Sequence, residues 1–175
     1  GEIVAKARNL KLIAIRGAGH DTLDVEEATR NGILVTFAPA ANSISVAELA
    51  VGLLLSITKK IPAAARCVSE GKWERLSWCG TELEGKTLGI IGLGAIGSKV
   101  ARIMSGFDVT ILACDPYASE ENAETLGVRL VSMNELLKES DFITIHCALT
   151  QSTQGIIGSQ AIKEMKPTAY IINAS

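Results

Sequence analysis

Gly85-Lys86-Thr87-Leu88-Gly89-Ile90-Ile91-Gly92-Leu93-Gly94-Ala95-Ile96-Gly97 is the stretch on which the reading of this chain turns. Residues 88–91 are a short apolar run of strand type, and residues 95–104 read as a helix. Between them the glycines fall in the pattern Gly-x-Gly-x-x-Gly. Gly92 permits a tight turn at the strand's end, and Gly94 lets the backbone approach a pyrophosphate with no Cβ in the way. Gly97 lets the helix pack closely on the strand. The amides near Ala95 and Ile96, at the helix start, then face the phosphates.

Downstream, strand-type runs at 109–114, 128–130, 142–146 and 169–172 alternate with helical stretches at 120–126, 132–138 and 159–165. Such alternation implies a parallel sheet with right-handed crossovers, and the continuous apolar runs suit strands buried on both faces. Asp115 closes the first of these strands, eighteen residues past Gly97. An acid there accepts hydrogen bonds from an adenosine ribose and repels a 2′-phosphate, which favours NAD over NADP. Taken singly, the glycines could be turn residues and Asp115 a strand-end cap. With strand, loop, helix and acid in register, they predict an α/β chain with a Rossmann-type, doubly wound parallel sheet that binds a dinucleotide.

Upstream the pattern is less regular. Residues 1–8 read as a helix end, 12–15 as a strand, 17–21 as a turn, 25–30 as a helix capped by Asp24, and 33–36 as a second strand. One such unit is too small to be stable alone. Residues 43–67 read as a long helix with a capping box at Ser45 and Glu48, kinked or divided at Pro62. Its broad apolar surface calls for cover on two sides, from a second lobe, a second subunit or burial within the chain. Residues 71–85, with Trp73 and Trp78, read as a connection. The expected domains are therefore 1–75, a partial lobe with its connecting helix, and 76–175, the dinucleotide-binding part.

Composition narrows the function. Seventeen basic and nineteen acidic side chains give a net charge of −2, which argues against a nucleic-acid partner. The most apolar stretch is too short for a membrane span, and the opening residues lack a signal-peptide pattern. The four cysteines form no Cys-x-x-Cys, so no metal site is expected, and scattered free thiols suit a cytoplasmic protein.

The chain resembles the D-isomer-specific 2-hydroxyacid dehydrogenases. Residues 85–97 with Ile111 and Asp115 resemble the family's cofactor signature, and Ser140-Asp141-Phe142-Ile143-Thr144-Ile145-His146 its second signature. Met165-Lys166 with Ile171-Ile172-Asn173-Ala174-Ser175 resembles the start of its third. Gly17-Ala18-Gly19-His20-Asp21, Asn42 with Ser45-Val46-Ala47-Glu48, and Gly71-Lys72-Trp73 resemble pieces upstream, and the likeness is strongest to members that oxidise 3-phosphoglycerate.

The resemblance implies a two-lobed, homodimeric enzyme with a flavodoxin-like substrate lobe and an NAD lobe, moving hydride between NAD and a 2-hydroxy or 2-oxo acid. By resemblance, the backbone of Cys147, Ala148, Ala174 and Ser175 contacts the cofactor, and Gly17, Ala18 and Gly19 offer amides to a substrate carboxylate. The family's arginine follows the position of Ser175, with its acid and histidine later still. The resemblance therefore implies an internal fragment that binds NAD weakly at best and does not catalyse alone. A non-catalytic NAD-binding module and an inactive fragment are the alternatives. Ala148 stands where the family has Pro, and Ile15 where some members have Arg. His146 reads as a structural or cofactor-loop residue and His20 as a turn residue.

Overall fold

The computed structural model describes residues 4, 6–7, 9–17, 19 and 23–175. Contacts divide the chain into two compact units, Gly1–Ile44 and Ser45–Ser175.

In the first unit, β1 (Leu12–Ile15) and β2 (Leu34–Phe37) pair in parallel, with Leu12 opposite Leu34, and α1 (Val25–Arg30) makes the crossover. Asp24 caps α1 as its spacing predicts, its Oδ1 accepting from the Glu27 amide at 2.9 Å. Val4, Ala28 and Ile33 form a small core. Ile33, expected to open the second strand, is buried just before it. Of the helix end expected over 1–8, residues 1–3, 5 and 8 lie outside the described residues.

The second unit is built on five parallel strands, β3 (Thr87–Ile91), β4 (Thr110–Cys114), β5 (Val128–Leu130), β6 (Phe142–Ile145) and β7 (Tyr170–Asn173). Their order is β5-β4-β3-β6-β7. The chain winds outward from β3 in one direction, then returns to its other side and winds outward again. That reversal between β3 and β6 is the switch point at which doubly wound sheets open a crevice past their carboxyl ends. The helices are α4 (Gly97–Met104), α5 (Glu120–Thr125), α6 (Met133–Glu139) and α7 (Ser159–Glu164). Ser119 and Ser132 cap α5 and α6 through their hydroxyls.

Both faces of the sheet are covered. Leu88 and Ile90 pack with Val100 and Met104 of α4 on one side, while Ile91, Ile143 and Ile145 pack with Leu136 and Leu137 of α6 on the other. The strands are apolar without alternation because neither face meets water. At the amino ends, the Asp141 carboxylate accepts from the Thr87 amide and from the Lys166 ammonium, both at 2.9 Å, tying β3, β6 and the approach to β7 together.

The long helix is two helices, α2 (Ser43–Thr58) and α3 (Ile61–Ser69). The break falls at Lys59 and Lys60, where Lys60 turns left-handed at φ 54°. Pro62 then sits in the first turn of α3, where its missing N–H is no loss. The capping box is corrected. The helix starts at Ser43, so Ser45 lies inside it. The partition at 75 also differs from the packing, because Ala47, Ala50, Val51 and Leu54 of α2 join the core of β3 and α4. Contact thus groups the helices with the second unit. Residues 71–85 are irregular apart from a short 3₁₀ turn at Arg75–Trp78. Among the described residues, no helix is long and apolar enough to cross a membrane.

Gly89 marks the tightest helix–sheet contact. A Cβ there would lie 2.7 Å from Leu136 Cδ2 and strike Ser140 Oγ. Gly89→Ala is expected to destabilise the protein by about 1–3 kcal/mol through this overpacking. The check is urea denaturation, and an unchanged midpoint would show that α6 yields without cost.

Candidate functional site

At the carboxyl ends of β3, β4 and β6 lies a cavity of about 470 Å³, lined by Gly92, Gly94, Asp115, Tyr117, His146 and Cys147 among others. Its floor is made by β3's exit. Gly92 turns at φ 93°, and a Cβ on it would lie 2.7 Å from the Cys147 amide nitrogen. Only glycine combines that dihedral with that approach. Gly97 is held as closely, since a Cβ there would fall on the Gly92 carbonyl oxygen. Gly94 is the opposite case, exposed, with nothing within 4 Å of the place its Cβ would take. Its open side faces the cavity, as a surface for a close-lying ligand should.

The loop's backbone is pinned on several sides. The Gly92 amide donates to Cys114 O at 3.0 Å, and the His146 amide donates to Ile91 O at 2.8 Å. The Leu93 amide donates to Asp115 Oδ2 at 2.8 Å. Asp115 Oδ1 accepts from the Tyr117 amide, also at 2.8 Å. The amides of Gly94, Ala95 and Ile96, where α4 begins, donate to no acceptor among the described residues. Unsatisfied amides at the positive end of a helix dipole form an anion site. These features fit a dinucleotide: an open backbone at Gly94, free amides at the helix start, and a carboxylate at the end of β4.

Past β6, residues 146–158 run as a loop held by its own hydroxyls. Thr153 Oγ1 donates to Ala148 O at 2.5 Å and accepts from the Thr150 amide at 2.8 Å. This clamp fixes the backbone where Ala148 leaves φ unconstrained. Cys147, Ala148 and Ser175 also line a second hollow of about 260 Å³ between β6 and β7. Ser175 donates from its amide and hydroxyl to Asn173 Oδ1, at 3.0 and 2.8 Å.

The structure thus gathers Gly92, Gly94, Asp115, Cys147 and Ala148 around one cavity, with Ala95 and Ile96 at the helix mouth and Gly97 buried beneath. Ser175 joins through the adjoining hollow, while Ala174 packs against the hydrophobic core. Gly17 and Gly19 are exposed in the first unit, with Gly17 O accepting from the Ala38 amide at 3.2 Å. Ala18 and His20 lie outside the described residues. Sequence reasoning missed Tyr117 and the clamp residues Thr150 and Thr153. The Thr-Gln-Ser-Thr stretch, with hydroxyls three residues apart, is the signal that could have found the clamp.

A larger hollow of about 550 Å³, lined by Leu53, Ile57, Pro62 and Ile171 with Ser56, Lys60 and Asn173, is mostly apolar and holds none of the glycine loop or Asp115. Among the described residues, no cluster of His, Cys, Asp and Glu could hold a metal ion.

His146 is kept from charge. Burial lowers its pKa from 6.5 to about 4. Its Nε2 meets Thr144 Oγ1 at 2.8 Å, and its Nδ1 is buried without a partner. Burial also raises the Cys114 pKa, reinforced by the neighbouring Asp115 charge, so this thiol stays protonated. For His146 the unfolded imidazole binds a proton near 6.5 and the folded one only near 4. Stability is therefore complete above pH 6.5, falls as pH drops between those values, and levels off below. The slope is at most about 1.4 kcal/mol per pH unit. Denaturation midpoints across that window are expected to show the slope, and His146→Gln to flatten it.

Residues 51–175 match the family profile described as D-isomer specific 2-hydroxyacid dehydrogenase, NAD binding domain. The chain is 45% identical over 174 residues to D-3-phosphoglycerate dehydrogenase of Archaeoglobus fulgidus and 47% identical over 175 residues to that of Methanocaldococcus jannaschii. Each alignment covers 99% of this chain and 33% of the relative, so the chain spans about a third of their length. Among solved structures, D-lactate dehydrogenase of Aquifex aeolicus, complexed with NAD and lactic acid, superposes with a TM-score of 0.87 at 35% identity. That superposition covers 98% of this chain and 52% of the other. The apo D-lactate dehydrogenase of Escherichia coli gives 0.86 at 36%, covering 93% and 51%. With the strand order, the glycine loop and the placed acid on one side and these matches on the other, the chain belongs to the D-isomer specific 2-hydroxyacid dehydrogenases, and residues 51–175 are their NAD-binding domain.

Proposed function

We propose that this chain is the NAD-binding part of a dehydrogenase that oxidises 3-phosphoglycerate at its 2-hydroxyl, at the entry to serine biosynthesis in the cytoplasm. Gly94 and Asp115 lining one cavity, beside the unbonded amides at the start of α4, carry the cofactor half of this reading. The substrate half rests on the relatives named D-3-phosphoglycerate dehydrogenase, at 38–47% identity.

In this reading the Ala95 and Ile96 amides receive the pyrophosphate, with Gly94 admitting it and Gly92 and Gly97 shaping the turn. Asp115 accepts from the adenosine ribose hydroxyls through lone pairs that Leu93 and Tyr117 leave free. Cys147, Ala148, Ala174 and Ser175 carry the backbone at the far end of the cofactor. Gly17, Ala18 and Gly19 offer amides to the substrate carboxylate.

Bound NAD supplies the hydride acceptor. Proton removal from the 2-hydroxyl needs a base whose pKa lies near the working pH. His146 does not meet that need, with a pKa near 4 and its Nε2 tied to Thr144. In this reading the arginine, acid and histidine that the family uses are supplied from outside these 175 residues. The exposed Leu49, Leu53 and Ile57 of α2 support a homodimer.

Calorimetry is expected to show NAD bound at least about tenfold more tightly than NADP, since Asp115 opposes a 2′-phosphate. Gly94→Ala is expected to change folding stability by no more than about 0.5 kcal/mol, because its Cβ meets open space. The same variant should weaken NAD about tenfold or more by crowding the phosphates. With the intact protein, NADH should form from 3-phosphoglycerate and NAD. Turnover of D-lactate instead would replace the substrate assignment, and NAD binding without turnover of either would favour a non-catalytic module.

A further inference from the structure

Both oxygens of the Asp115 carboxylate are engaged within the chain itself. Its Oδ2 accepts the Leu93 amide, and its Oδ1 accepts the Tyr117 amide, each at 2.8 Å. Leu93 is the residue between the two leading glycines of the phosphate loop. Its side chain is buried in the core, 4% exposed, so its position is fixed from below. Its carbonyl accepts from Ser98 Oγ at 2.9 Å. Both polar backbone atoms of Leu93 are therefore satisfied by side chains, one from the end of β4 and one from the first turn of α4. The next three amides, of Gly94, Ala95 and Ile96, donate to no acceptor among the described residues.

We propose that Asp115 is a positioning residue for the phosphate loop as well as a ribose ligand, and that with Ser98 it clamps Leu93 so that the loop is set for a pyrophosphate before any ligand arrives. The inference rests on the dinucleotide reading above. Its physical basis is preorganisation. Glycines on both sides of Leu93 give the loop backbone freedom that binding would otherwise have to remove. A charge-assisted bond to one amide and a neutral bond to the adjoining carbonyl remove it in the free protein. The acid thereby links the ribose and the diphosphate of the adenosine diphosphate moiety. Loss of the carboxylate loosens the grip on phosphates it does not touch.

The test compares ADP with 2′,3′-dideoxy-ADP, which keeps both phosphates and the adenine but lacks the hydroxyls, by calorimetry on the intact protein and on Asp115→Asn. A carboxylate that acts only on ribose would leave dideoxy-ADP affinity unchanged in the variant, and that result overturns the proposal. The expected result is a loss of about fivefold or more for dideoxy-ADP, with a larger loss for ADP. Ser98→Ala leaves the acid in place and should weaken both ligands by the same factor, about threefold. Equal affinities in Ser98→Ala and the unaltered protein would count against the clamp even if Asp115→Asn failed to fold. Hydrogen exchange of the Leu93 amide gives an independent reading, since the clamp requires protection in the ligand-free protein and exchange at the solvent rate excludes it. Failure of the unaltered protein to bind either nucleotide would instead overturn the dinucleotide reading itself.

Discussion

The carbonyl oxygen of Gly92 occupies the place where any side chain on residue 97 would begin. From this contact much of the second unit's geometry follows. It lets α4 start directly over the end of β3, and it obliges Gly92 to turn through φ 93°. The turned backbone then presses against the His146–Cys147 link that leaves β6. The end of β3, the start of α4 and the exit of β6, the last of these remote in sequence, meet where any Cβ would hold them apart. The crevice at the switch point is therefore narrow at its floor and open at Gly94. Helix dipole, free amides and strand ends converge because two glycines allow them to, and the apolar packing of Val100 and Met104 on Leu88 and Ile90 holds them there.

The parts of the fold that were legible in the sequence are those set by local periodicity under a uniform environment. Strands β3, β4 and β6 are covered on both faces, so their residues read as unbroken apolar runs whichever way each side chain points. The helix of 43–67 was legible as a helix kinked or divided near Pro62, but the place of the break was not, because it lies at Lys59 and Lys60 rather than at the proline. A proline in the first turn marks where a helix begins. A left-handed lysine leaves no mark in the sequence. The boundary between the units was illegible for a different reason. Whether Ala47 and Leu54 belong with what precedes or follows them is decided by contacts with Leu88 and Met104, far along the chain.

The site divides along the same line. Gly92 and Gly97 were legible because close backbone approach requires them, and Gly94 and Asp115 because they stand at fixed distances from a strand end. Tyr117, Thr153 and Ser98 were not, since a tyrosine in a turn or a serine in a helix carries no mark of what it touches. Ala148 shows how one function passes to another residue type. A ring that would have restrained the backbone is absent, and the Thr153 hydroxyl restrains the same peptide from five residues away.

The charge in this cleft is as informative as its shape. Among the described residues lining it there is one acid and no lysine or arginine, and its histidine is neutral above pH 4 or so. A phosphate entering it meets no full positive charge. What this chain's described residues offer such a phosphate is backbone amides and the partial charge of α4, and these act only over the first turn and only when aligned. A lysine can swing toward a misplaced phosphate on a flexible stem, whereas an amide cannot. A site that holds an anion with amides alone therefore depends on the rigidity of its loop to a degree that a cationic site does not. That dependence accounts for the density of bonds around Leu93, with Asp115, Ser98 and the buried leucine side chain all fixing one residue that itself offers nothing to the ligand.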